Sequence, residues 1–227
     1  MNLEGKTWNA IGASNDGFWG IYNGNNKTIS NLQVIGYETT PSGLFGEVVG
    51  DIKNVKITGA NISGCHYAGA VAARLFGTIE GCEVSNSTIV LLPNVVTTSF
   101  DNGDKAGALV GYLAANNVNK VINNKVSGVN VKAYREVAAL VGRANTIDEM
   151  SGNVVENSEI VLDQMIAGSY VDTKDYFSTI GTLIGRLDDN TTANITNNTV
   201  TNVNLNTVDA KGVEAKIENP KEVGLNE

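Results

Sequence analysis

The chain has 227 residues, 42% of them apolar, with 24 Asp and Glu against 16 Lys and Arg and a formal net charge of -8. That balance suits one elongated or one large compact domain and excludes a disordered chain. An acidic surface without a basic block repels a phosphate backbone, which argues against nucleic acid, and no apolar run reaches the roughly 18 to 20 residues of a transmembrane helix.

Residues 1–6 lack the basic stretch followed by an apolar one that marks a signal peptide, so a surface protein would need a leader beyond this sequence, and an intracellular role is the other reading. The first elements are aromatic. Trp8, Ile11, Phe18, Trp19, Ile21 and Tyr22 are expected to cover the open end of a first coil, with residues 1–27 as an N-terminal cap.

A five-residue frame then recurs along the chain. It runs through Leu32-Gln33-Val34-Ile35-Gly36, Val55-Lys56-Ile57-Thr58-Gly59 and Cys82-Glu83-Val84-Ser85-Asn86. It continues at Asn124-Lys125-Val126-Ser127-Gly128, Asn153-Val154-Val155-Glu156-Asn157 and Asn198-Thr199-Val200-Thr201-Asn202. The third residue is always Val or Ile, as an inward strand position in a stacked core requires. The fifth is always Gly or Asn, the residues that tolerate a left-handed corner, so one corner per repeat is expected. Apolar positions recur before the frame at Ile29, Ile52, Ile79, Val121, Met150 and Ile195, and after the corner at Ile62, Ile89, Val131, Ile160 and Leu205. Asn124, Asn153 and Asn198 would stack as a buried amide ladder, with exposed turn asparagines as the alternative.

Upstream of each later frame lies an apolar pair flanked by small residues: Gly43 to Gly46, Ala70 to Ala73, Ala108 to Gly111, Ala139 to Gly142 and Thr182 to Gly185. The next residues, Glu47, Arg74, Tyr112, Arg143 and Arg186, would form a row down one outer edge. Spacings of 23, 27, 42, 29 and 45 residues between the frame centres imply a basic coil carrying two insertions, near residues 91–104 and 163–178, at one corner. The prediction is an all-β chain: a right-handed parallel β-helix of about six irregular coils over residues 1–207. Residues 208–227 follow as a polar cap, with a last strand at residues 213–217, or as a linker. Cys65, His66 and Cys82 have no metal-site spacing, so neither metal nor cofactor is expected. A disulfide and two separate thiols both remain open.

The Gly43-Leu44-Phe45-Gly46 stretch followed by Ile52-Lys53-Asn54-Val55-Lys56-Ile57-Thr58-Gly59 resembles the GLUG repeat of bacterial surface proteins. Gly69-Ala70-Val71-Ala72-Ala73 and Ala106-Gly107-Ala108-Leu109-Val110-Gly111, each ahead of its own frame, extend the likeness. The lead-in from Phe18 to Leu32 also resembles the segment that precedes such repeats in large secreted proteins of gut bacteria. The resemblance covers residues 7–207. It implies a secreted or surface-anchored, adhesin-like β-helix, also found as accessory repeats in metallopeptidases that cut immunoglobulin A. It supplies no catalytic residues, and the zinc helix motif of those enzymes is absent from this sequence.

The expected function is non-catalytic binding of a glycan or host surface protein, with further domains of a larger chain as possible neighbours. Candidate ligand-binding residues are the aromatics at the insertion corner, Phe100, Tyr170, Tyr176 and Phe177, with Tyr67 and Tyr134 at the same connection in shorter coils. Packing of these rings onto the rod is the competing reading. The alternative function is a polysaccharide lyase or hydrolase, in which Arg74, Arg143, Arg186, Asp188 and Asp189 would face an acidic sugar. A structural spacer is the third.

Overall fold

A triplet with a β-branched centre, bounded by residues that accept positive φ, can form only a short strand, and this chain repeats that unit coil after coil. The computed structural model describes residues 1–13, 17–37, 40–92, 105–115, 118–163, 179–188 and 193–208, and the backbone of 216–217. Every regular element among them is a β-strand. Strands pair parallel with their counterparts one coil away in three sheets, so the described residues form a parallel β-helix of six coils.

The frame sheet holds two stacks of strands, joined where Val154–Asp163 and Thr199–Val208 run through the bend between them. Its core rows are Ile29, Ile57, Val84, Val126, Val155 and Val200, then Val34, Ile62, Ile89, Val131, Ile160 and Leu205. A second sheet, here the ladder sheet, stacks Ala72–Phe76, Val110–Leu113, Val141–Ala144 and Ile184–Leu187 in register with the long strand Phe45–Lys53. A narrow third sheet stacks Tyr67–Ala68, Lys105–Gly107, Glu136–Ala138, Thr179–Gly181 and Lys216–Ile217. That last strand falls within the range expected for the tail.

Three features differ from the sequence reading. The first coil is shifted by five residues: Ile29, not Val34, stacks on Ile57, and Val34 belongs to the next stack, on Ile62. Both Leu32 to Gly36 and Lys27 to Asn31 satisfy the frame, but only Asn31 is followed three residues later by a core apolar residue. Secondly, two left-handed corners bracket each frame strand from the second coil on. Asn54, Gly81, Asn123, Gly152 and Asn197 precede it, and Gly59, Asn86, Gly128, Asn157 and Asn202 follow it. Thirdly, only part of the N-terminal aromatic set covers the core. Phe18 and Tyr22 pack on Phe45 at ring distances of 5.3 and 5.1 Å, and Trp8 donates a hydrogen bond to the Leu44 carbonyl. Alternate residues of strand Phe18–Asn23 face the other way, which leaves Trp19 72% and Ile21 69% exposed, and Ile11 is exposed as well.

The amide ladder forms as expected. Asn124 Nδ2 donates to Asn153 Oδ1 at 3.0 Å, and Asn153 Nδ2 donates to Asn198 Oδ1 at 2.8 Å. Each side-chain oxygen also accepts a backbone N–H from the coil before: Cys82 to Asn124, Asn124 to Asn153 and Asn153 to Asn198. Buried polar groups that a bend would otherwise strand are thereby satisfied. Cys82 caps the row as a thiol that burial pushes up to about 11, and no disulfide joins it to Cys65.

Candidate functional site

Small residues between the narrow and ladder sheets, such as Gly107-Ala108 and Ala138-Ala139, bring two outward rows side by side. On the ladder sheet Glu47, Arg74, Tyr112, Arg143 and Arg186 align coil by coil, the row expected from their spacing. On the narrow sheet Tyr67, Lys105, Glu136 and Thr179 align. Glu136, with its side chain 2% exposed, is the hub: Arg186 reaches it at 3.1 Å, Arg143 at 3.7 Å and Lys105 at 3.8 Å. Tyr112 lies among cations, with Lys105 Nζ 5.5 Å, Arg74 Cζ 5.6 Å and Arg143 Cζ 5.8 Å from its ring centre.

Of the residues proposed for an acidic sugar, Arg74, Arg143, Arg186 and Asp188 are therefore together, but the protein's own carboxylates already engage the arginines. Arg74 donates to Glu47 at 2.9 Å, and Arg143 donates to both oxygens of Asp188, at 3.0 and 3.2 Å. Arg186 lies 3.3 Å from the same aspartate. These pairs are partly exposed, and a substrate anion would have to displace the protein's own carboxylates from them. Asp189 lies outside the described residues.

Tyr67 and Tyr134 are not exposed aromatics: they are 8% and 5% accessible. The connections Cys65-His66 and Tyr134-Arg135 are two residues long, too short to leave the rod, so a ring there packs inward. Tyr134 lies in that connection, whereas Tyr67 lies in the narrow strand itself, stacked on His66 at 3.7 Å and near Tyr112 at 5.3 Å. Burial, the largest influence, pushes the Tyr67 hydroxyl up to about 12. Burial, reinforced by the Lys105 and Arg74 charges, pushes the His66 imidazole down to about 4. Phe100, Tyr170, Tyr176 and Phe177 lie outside the described residues.

The roots of the two insertions are described, and they share one corner. The first departs after Thr88–Leu91 and returns at Lys105–Gly107; the second departs after Val154–Asp163 and returns at Thr179–Gly181. Both span the connection from frame sheet to narrow sheet, with Asn130–Ala133 and Glu136–Ala138 as the coil between them. Both return at the row that contains Glu136. The sequence reading names neither Lys105 nor Glu136, and weighs His66 only as a metal ligand. The signal was available: Lys105 and Glu136 each stand four residues before the leucine of a small-flanked pair, Leu109 and Leu140.

No protein-family model matches the chain. In an alignment of 120 residues that covers 48% of the chain, the sequence is 32% identical to Halomucin of Haloquadratum walsbyi (strain DSM 16790 / HBSQ001), and the match spans 1% of that protein. The crystal structure of a candidate immunoglobulin A1 protease from Bacteroides ovatus superposes with a TM-score of 0.66 and 18% identity. That likeness covers 92% of this chain and 59% of the other, and it is a likeness of fold. Among the described residues no helix is long and apolar enough to cross a membrane.

Proposed function

We propose that the chain is a non-catalytic binding and adhesion module, extracellular or on the cell surface, that engages a glycan or a host surface protein through the insertions at one corner of its rod. The observation that carries this is the shared corner: two long insertions leave a regular solenoid from equivalent positions two coils apart. A solenoid tolerates insertion at any bend, so two that share one bend point to use of that corner for binding on a rigid support. The GLUG-like motifs and the likeness to a segment of Halomucin, a mucin by name, support a surface protein much longer than this chain. The mutual neutralisation of Arg74, Arg143, Arg186, Glu47, Glu136 and Asp188 favours a bracing role for the charged row over polysaccharide cleavage.

The test is a glycan and host-matrix array probed with the wild-type chain and a Tyr170→Ala/Tyr176→Ala variant, with acidic polysaccharides incubated in parallel with calcium. Binding lost in the variant is the expected result. Unsaturated products would replace this reading with a lyase, and silence in both assays would leave a spacer.

A further inference from the structure

The bend between the two frame-sheet stacks is sunken along the rod. The residue after each second corner turns inward, so Ala60, Ser87, Val129 and Ser158 are buried, and the last three form a floor. One wall is the corner row Asn86, Gly128, Asn157 and Asn202; the other is the outward row Thr88, Asn130, Glu159 and Asn204, held in register from coil to coil. Together they enclose an open groove of about 460 Å³ that runs along the rod axis.

Neighbouring outward rows neutralise themselves across coils. On the frame strands Lys56 pairs with Glu83 at 3.1 Å and Lys125 with Glu156 at 2.7 Å. On the ladder sheet Lys53 pairs with Glu80 at 3.3 Å and Lys120 with Glu149 at 3.1 Å. The groove differs in kind. Its lining holds Glu159 as its single charge and has neither a cation nor an aromatic ring. Asn130 and Asn206 donate to Glu159, and Asn202 donates to Asn157. Among the described residues, the side chains of Asn86, Thr88 and Asn204 make no hydrogen bond, so donors and acceptors of both kinds are left facing the trough.

We propose that this groove binds a neutral oligosaccharide lying along the rod. Amides and hydroxyls that both donate and accept match a chain of sugar hydroxyls. Glu159 and the net charge of -8 disfavour an acidic polymer. An apolar peptide would desolvate the amides without replacing their hydrogen bonds. Coils repeat at roughly 4.8 Å, close to the length of one ring in an extended pyranose chain, so successive sugars would meet equivalent side chains. The site is separate from the insertion corner, which lies at the far end of strand Thr88–Leu91.

The experiment titrates cellopentaose, mannopentaose and a galacturonic acid pentamer into the isotopically labelled full chain and follows backbone amide shifts, then affinity by calorimetry. Two groove variants are compared: Asn86→Gly/Asn157→Gly/Asn202→Gly, which keeps the corners because glycine already holds positions 59 and 128, and Thr88→Arg/Asn204→Arg, which fills the groove from exposed positions. A neutral pentaose is expected to shift the amides of residues 86–88, 128–130 and 157–159. Both groove variants should weaken it at least about tenfold, and Tyr170→Ala/Tyr176→Ala should leave it unchanged. The proposal is overturned if no neutral oligomer shifts those amides at millimolar concentration, if the galacturonate binds more tightly, or if both groove variants bind as wild type does.

Discussion

Asn153 occupies the middle of the amide ladder, where its oxygen accepts from both the backbone and the side chain of Asn124, and its amide donates to Asn198 and to the Val121 carbonyl. Removing it strands groups on two neighbours in a site with 0% exposure. Asn153→Ala is expected to cost about 2 to 4 kcal/mol, the penalty for more than one buried unsatisfied group, seen as a lower urea midpoint with an unchanged slope. His66 gives a pH signature. Its imidazole, held down to about 4 in the fold by burial and by Lys105 and Arg74, stays neutral where the unfolded chain takes up a proton near its ordinary 6.5. The related stability is therefore complete above pH 6.5 and is lost as the pH falls towards 4. Between pH 7 and 4.5, His66→Gln should lose less stability than wild type by on the order of 2 kcal/mol. Parallel losses in the two proteins would show that His66 is not buried in its neutral form.

The short strands depend on the bends between them. At Gly50, φ is +140°, and a Cβ would stand 2.0 Å from the Gly20 carbonyl oxygen of the neighbouring coil, a backbone atom that cannot yield. Gly50→Ala should therefore destabilise by at least about 3 kcal/mol, measured by thermal unfolding. The corners differ, because Asn and Gly interchange there at φ between 48° and 66°. That interchange made the corner after each frame strand legible in the sequence. The preceding corner is less legible because its residues, Asn54, Gly81, Asn123, Gly152 and Asn197, sit just before the frame, outside the recurring pentapeptide.

At the scale of the molecule, the described strands pair with those of adjacent coils, so changes at one bend should stay local. Coils that join frame sheet to narrow sheet with Cys65-His66 or Tyr134-Arg135 show that two residues suffice for the connection that the insertions occupy. Replacing residues 93–104 and 165–178 by two-residue turns should leave the thermal midpoint within a few degrees, while array binding through the insertion corner disappears. A collapse in stability would assign the insertions to the core of the fold instead.

The sequence alone determined the solenoid, its coil count, the amide ladder and the row from Glu47 to Arg186, because each is a periodic choice of residue type that every coil repeats. It could not set the first coil's register, since two overlapping pentapeptides satisfy the same frame and only stacking on Ile57 chooses between them. It also could not pair Lys105 with Glu136 or Arg186 with Asp188, nor sink Ser87 and Ser158 into a groove floor. Those relations join residues from different coils or different sheets, and their positions depend on how the bends fold one sheet against the next. Burial of Tyr134 was decided in the same way, by a connection too short to carry a ring away from the rod, and burial of Tyr67 by its place in the narrow strand between His66 and Tyr112.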